Sequence, residues 1–435
     1  MNPLDEFEEQ EELARFYANR WEVAAFNARQ CAPAVFEGLL PLFVRLFGCS
    51  LLQGVLYRIQ VSNVTHLIVA ILANYLLVFQ LEEKWMIFLP IGYYCTSLLI
   101  DECLLGRKER GPASILVAVA YIGFWQTQLS AVHFMQIRGS LMIMAMKLIS
   151  VSFDGISAPM LERIAHVFNP ATVLFGPFLS YERFRSNLLK PASFPPSSSF
   201  DSIASEGLLE EPPAFGRLLR AVRLLRPLLV LLRGFDPGRR GDRAGLATAQ
   251  SFRFSHFFVC YLSLSTVLLA GLSSDFQTTK LTAIELPRSM SEVVVHWNHA
   301  MHEFLHKYAY LELLPYGYFV AMIGSFVMSS LLHGFNFQLT AVLISLAFYA
   351  YSESGVGRVL RSCKHKRTKL HSLTFVINGL FVLLNVYHLI YLGMPFDGTG
   401  EEVGYSWRHT LDHWARWNFS SHLLSALLLP FSFFI

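Results

Sequence analysis

Beyond residue 30 the apolar positions follow neither the alternation of a strand nor the single stripe of a surface helix. They come as runs that are apolar all round, near 64–80, 85–100, 112–134, 138–153, 254–272, 316–351, 372–393 and 418–434. A helix needs about 20 apolar residues to cross the hydrocarbon core of a bilayer. Helix is also the open structure that satisfies every backbone N–H and C=O from within. The pattern therefore predicts an all-α polytopic membrane protein, with about 8–11 transmembrane helices at that length per span. Composition agrees. Hydrophobic residues make up 53%, charged residues only 15%, and mean hydropathy is +0.41. A soluble domain carries about 25% charged residues, so a soluble globular enzyme is excluded.

Several segments break the pattern. Residues 1–30 form an acidic polar tail without the profile of a cleaved signal peptide. The expected organisation is that tail followed by one membrane-embedded domain, 31–435. Residues 32–58 are apolar but interrupted by Glu37, Pro41 and Arg45, which predicts a tilted or partly buried helix. The stretch 170–185 is too short to span and holds Pro170, Gly176 and Pro177, which predicts a re-entrant or broken segment. Ser and Pro enrich 186–216, a flexible loop by composition. In 218–235, Arg220, Arg223, Arg226 and Arg233 interleave with leucines, as in an amphipathic helix on the membrane surface. The basic runs at 106–111 and 358–369 predict cytoplasmic loops. Three clean spans between 217–243 and 358–369 would set those two basic regions on opposite faces. One element there is miscounted, or one region is not cytoplasmic.

Charge and cysteine change little. The net charge of +3 gives no nucleic-acid surface, and the six cysteines hold no C-x-x-C pair.

Three features carry chemistry. His333 lies in SSLLHGFNFQL, near the middle of the 316–351 run. An ionisable side chain at that depth is costly unless it faces a cavity or a partner, so it is a functional candidate. The bland alternative is a neutral core histidine bonded to a carbonyl. Gly334 beside it permits close backbone approach. The second feature is RSMSEVVVHWNHAMHEFLHKYAY, 288–310. Read as one helix, it sets Trp297, Met301, Leu305 and Tyr308 on an apolar stripe and Asn298, His302 and His306 on a polar one. An amide such as Asn298 can orient a carbonyl or stabilise an oxyanion; otherwise it is an ordinary helix-surface residue.

The third feature competes with the second. His302-Glu303-Phe304-Leu305-His306 is a literal H-E-x-x-H, the zincin arrangement of two imidazoles and a general base. It would make the chain an intramembrane zinc metalloprotease, with Asp154 or Asp397 as a third ligand. His299 adds a neighbour to His302. The bland reading is a histidine-rich helix face near the aqueous boundary. Arg138, Lys147 and Asp154 lie in or beside an apolar stretch and are expected to be paired. A non-enzymatic lipid-binding membrane protein is the remaining alternative.

Trp297-Asn298 followed by His333 in LLHGF, within a long apolar run, resembles the membrane-bound O-acyltransferases. Ordered phrases sharpen the likeness: IRGSLMIMAMKLIS, VLFGPFLSYERF, ELPRSMSEVV, SSLLHGFNF, ISLAF and HLIYLGMPFD. They resemble the branch of that family that acylates Wnt proteins. The resemblance implies a multi-pass enzyme of the endoplasmic reticulum built around an intramembrane catalytic tunnel. It would move a palmitoleoyl group from palmitoleoyl-CoA to a Wnt serine hydroxyl, with no cofactor, no metal and no nucleic-acid partner. His333 falls on the family's catalytic histidine and Asn298 on its associated asparagine. Trp297, Ser330 and Gly334, which flank them, are candidates for contacts to acyl-CoA or substrate. The HEFLH histidines take no role from the family pattern.

Overall fold

The computed structural model describes residues 40–56, 109–154, 159–188, 240–272, 276–364, 371–398 and 405–432, with positions 33, 37 and 59. The expected tail at 1–30, the runs near 64–80 and 85–100, most of the Ser/Pro loop and the arginine–leucine helix at 218–235 lie outside the described residues.

Every regular element among the described residues is helical. In chain order they are α1 (Leu40–Leu56), α2 (Arg110–Gln128), α3 (Ala131–Asp154), α4 (Met160–Val167), α5 (Pro170–Val173) and α6 (Tyr181–Leu188). Then come α7 (Arg240–Leu269), α8 (Leu281–Glu285), α9 (Met290–Trp297) and α10 (His299–Leu305). The series ends with α11 (Tyr318–Leu332), α12 (Phe337–Lys364), α13 (His371–Gly393), α14 (Trp407–Arg416) and α15 (Ser420–Leu428). Within α3, α7 and α12, the stretches Ala131–Asp154, Gly245–Leu269 and Phe337–Val356 are long and apolar enough to cross a membrane; α1, α11 and Ile377–Gly393 are shorter apolar helices.

α2 and α3 form a hairpin closed at Leu129 and Ser130. Gly111, Ser114, Ala118 and Ile122 make the buried stripe of α2, three of them small, so the two backbones pack closely. α3 is the most enclosed of the spanning helices and supplies Leu141 and Ile143–Val151 to the main core. A buried lysine interrupts that face. Lys147 is 0% exposed and donates to the Val167 carbonyl at 3.1 Å, where α4 ends. The expectation that Lys147 and Asp154 are partnered is met in detail, because Asp154 accepts from Lys307 at 3.0 Å and from the Tyr308 hydroxyl at 2.5 Å.

The segment 170–185 is broken and buried. Asn169 caps α5 by accepting from Ala171 N at 3.1 Å, and residues 174–180 run without helix before α6. Pro170–Val173, Phe178 and Leu179 are all buried. Its freed carbonyls find side-chain donors. Thr266 on α7 donates to Ala171 O at 2.7 Å, and the His166 ring bonds Leu179 O at 2.7 Å. Irregular backbone is tolerated at membrane depth only when neighbours satisfy it in this way.

A second core joins Met290 and Val293 of α9 to Tyr349 and Ala350 of α12, Tyr391 and Leu392 of α13, and Trp414 of α14. A buried carboxylate fixes the entry of α9. Glu353 accepts from Met290 N at 2.5 Å and from Asn385 Nδ2 at 2.9 Å.

Two boundaries differ from expectation. The run 254–272 belongs to α7, which starts at Arg240, because residues 240–253 continue the helix to pack Gly245 and Ala249 against Met394 and Gly393. The stretch 287–310 is not one helix. It breaks at Asn298, whose φ of −145° and ψ of 91° are extended, and then runs through a π turn at His306–Tyr310 and a 3-10 turn at Leu314–Tyr316.

Candidate active site

The apolar run 316–351 divides at His333 into α11 and α12, a division that its hydropathy does not mark. His333 is the first residue past α11, with its N–H on Ser329 O and Ser330 O at 3.3 and 3.2 Å. Gly334 follows with φ +84°, a left-handed turn that favours glycine. A β-carbon there would stand 3.0 Å from both the Phe134 ring and Gln126 Oε1. Gln126, on α2, clamps the next peptide from both sides. It donates to Phe335 O at 3.0 Å and accepts from Phe335 N at 2.6 Å. Asn336 caps α12 through Leu339 N at 3.0 Å. The turn that carries His333 is thus held from both helices and from α2. Its backbone, not its ring, makes the hydrogen bonds that the described residues give it. Ser330 points elsewhere: its hydroxyl is buried and bonds Thr340 Oγ1 at 2.5 Å, so it ties the hairpin rather than lining an open site.

A test of this turn is Gly334→Ala. The left-handed conformation alone costs an alanine about 1–2 kcal/mol, and the crowding adds to it. We expect a lower unfolding temperature for the detergent-solubilised protein together with reduced turnover, since His333 is displaced. Wild-type values for both would show that the turn does not position the histidine.

Asn298 sits in the break between α9 and α10. Its Oδ1 accepts from Met301 N at 3.0 Å, which caps α10 and leaves the amide NH2 as the free end. The backbone there is pinned by Thr278 and Thr279: His299 N donates to Thr278 O at 2.8 Å, and Thr279 Oγ1 donates to His296 O at 3.0 Å. Because the helix breaks, Asn298 does not share a stripe with His302 and His306. Ala300, Met301, Phe304, Tyr308 and Ala309 form the buried face of α10 and the π turn, and Leu305 packs against it partly buried.

Trp297 is half-buried in a stack. The His256 ring lies on its indole at 4.4 Å and 7°, and the His256 Nε2 bonds Trp297 O at 2.7 Å. Phe252 covers Trp297 at 5.9 Å and is itself stacked on Phe396 at 4.1 Å. His256 was not among the residues singled out by sequence. It lies inside an ordinary span, FRFSHFFVCYL, where only a polar residue amid aromatics signals it. It touches Trp297 both through its ring face and through its Nε2.

The H-E-x-x-H pattern takes a different form. His296, His299, His302, His306 and Tyr310 form a ladder of rings, 5.5–6.5 Å between successive centroids. Glu303 pairs with Arg183 at 3.2 Å, Asp154 is bonded to Lys307 and Tyr308, and Asp397 is bonded to His409 and His413. No third ligand reaches His302 and His306 among the described residues. Partial burial, then the charges of His299, His306 and His296, hold the His302 imidazole below its usual range; burial and Lys280 lower His296.

A cavity of about 610 Å³ opens between α11, α12 and the C-terminal helices, lined by Phe319, Met322, Ile344, Phe348 and Tyr351, with Ser345 and His422 as its polar wall. His422 bonds Ser345 at 2.9 Å and Tyr391 at 3.1 Å. Neither Asn298 nor His333 lines it. Ile323, also in its wall, and His333 are ten residues apart, about 15 Å along a helix, so this is not the tunnel expected beside His333.

Comparison with known proteins bears on the same region. A family model described as MBOAT, membrane-bound O-acyltransferase family, matches residues 244–394. That interval holds Asn298 and His333 and runs from α7 to the end of α13. The chain is 30% identical over 387 residues to the protein-serine O-palmitoleoyltransferase porcupine of Homo sapiens, covering 79% of this chain and 82% of the human protein. It is 30% identical over 388 residues to that of Mus musculus, with the same coverage. It is 28% identical over 338 residues to that of Drosophila melanogaster, covering 66% and 62%.

Proposed function

The chain belongs to the membrane-bound O-acyltransferase family and is an acyltransferase of the membrane; from that premise we propose that it is a protein-serine O-palmitoleoyltransferase that modifies Wnt proteins. The ordered phrases at 137–150, 173–184, 285–294, 329–337 and 388–397 support the Wnt substrate and residence in the endoplasmic reticulum. The single observation that supports the assignment of the site is that the interval matched by the family model, 244–394, contains both Asn298 and His333.

The chemistry follows. Palmitoleoyl-CoA presents its thioester from the cytoplasmic side with its acyl tail among apolar helices, and the serine arrives from the lumen. His333, neutral, accepts the hydroxyl proton. The serine oxygen attacks the thioester carbonyl, and Asn298 Nδ2–H donates to the oxyanion that forms. The C–S bond then breaks, and the imidazolium returns its proton to the coenzyme A thiolate. One oxyester and one free thiol result. Trp297 and His256 form the wall that sets Asn298, and Gly334 lets the backbone approach closely.

The zinc-protease alternative is disfavoured by the ion pairs of Glu303, Asp154 and Asp397 described above. Purified chain incubated with palmitoleoyl-CoA and a Wnt peptide should add one acyl group to the serine and release coenzyme A. A peptide with that serine replaced by alanine should gain none, and His302→Ala should match the wild type. Acylation of the alanine peptide, or thiol release without an ester, would overturn the serine assignment.

A further inference from the structure

The interval matched by the family model ends at 394. Just past it, three side chains converge. His409 and His413 stand four residues apart on α14, so both imidazoles leave the same side of the helix. Asp397 comes from the turn after α13. His409 Nε2 lies 3.1 Å and His413 Nε2 3.4 Å from the same oxygen, Asp397 Oδ2, and all three ligand atoms fall within 4.8 Å of one another. The side chains are 22%, 19% and 21% exposed, enclosed yet reachable.

Both arms of the cluster are fixed independently of it. On α14, Ser406 caps the helix through His409 N at 3.4 Å, while buried Thr410 and Trp414 anchor its adjoining face, with Trp414 stacked on Tyr391 at 5.8 Å. On the turn, Gln338 Nε2 donates to Pro395 O at 2.9 Å, and Phe396 lies on Phe252. The three donors thus meet because two rigid elements bring them together.

We propose that Asp397, His409 and His413 bind one zinc ion. Two neutral imidazoles and a carboxylate are a zinc donor set, and tetrahedral ligands at 2.0–2.2 Å from the metal stand about 3.3–3.6 Å apart. The separations of 3.1 and 3.4 Å already match that spacing to within a few tenths of an ångström. Three protein ligands leave the fourth position to water. The ion would fasten the 394–398 turn to α14. Through Phe396 it would steady the Phe252–Trp297–His256 stack. The proposal does not rest on the acyl-transfer reading.

The full chain, purified in detergent without chelator, is titrated with zinc and its metal content measured. One zinc per chain is expected, with a rise in unfolding temperature on zinc addition that a chelator reverses. His409→Ala with His413→Ala should remove the bound zinc, and the milder Asp397→Asn should weaken it, whereas His302→Ala should retain it. Wild-type protein that neither holds zinc nor is stabilised by it would overturn the proposal. So would full zinc content in the double variant, or loss in His302→Ala alone, which would place the ion on the H-E-x-x-H ladder.

Discussion

His333→Ala lowers acyl transfer by about 10²–10⁴-fold, the range over which a positioned general base contributes, and leaves the fold intact. The structure separates the two effects. The turn is held by backbone and by Gln126, Gly334 and Asn336, none of which uses the imidazole. The His333 backbone N–H, which helps close α11, survives the substitution. The unfolding temperature should therefore match the wild type while oxyester formation falls to background. A folded His333→Ala protein that still acylates its peptide at near the wild-type rate would remove this histidine from the chemistry.

Asn298→Asp is the second large effect, and it is sharper than the alanine variant. Aspartate keeps an oxygen to cap Met301 N, so α10 starts as before. It replaces the amide donor with an acceptor that repels the developing oxyanion. Loss of one such donor costs about 10²–10³ in turnover. Asn298→Ala should show the same loss of turnover and, in addition, about 1 kcal/mol of lost stability from the missing cap. Measured side by side, equal unfolding temperatures for wild type and Asp with collapsed turnover support the oxyanion role. Full activity in Asn298→Asp would reduce Asn298 to a helix cap.

Much of the architecture was legible. The apolar runs gave the all-helical membrane class, because length and uniform hydropathy are set by the bilayer alone. The prolines of 170–185 announced its broken course. His333 and Asn298 are candidates from residue type and position, and the family resemblance supplies their expected roles. The sequence did less well where one-dimensional pattern and three-dimensional demand part. A continuous amphipathic helix over 288–310 satisfies the period, yet the chain breaks at Asn298, since the amide caps α10 better than it would serve mid-helix. The H-E-x-x-H spacing was read correctly as two imidazoles on one side, but its carboxylates were spoken for.

Composition and the positions of polar residues within apolar runs were enough to say that this chain lives in a membrane, is helical, and places an imidazole deep in an apolar run. Those are properties of single segments, and a segment carries them wherever it goes. Which groups meet is a different matter. That His256 stacks on Trp297, that Gln126 grips Phe335 across 209 positions, and that Asp397 faces α14 rather than the histidine ladder were decided only when the helices packed. Contacts between distant segments depend on helix rotation and register, and those are fixed by mutual burial of side chains, which no single stretch of sequence contains.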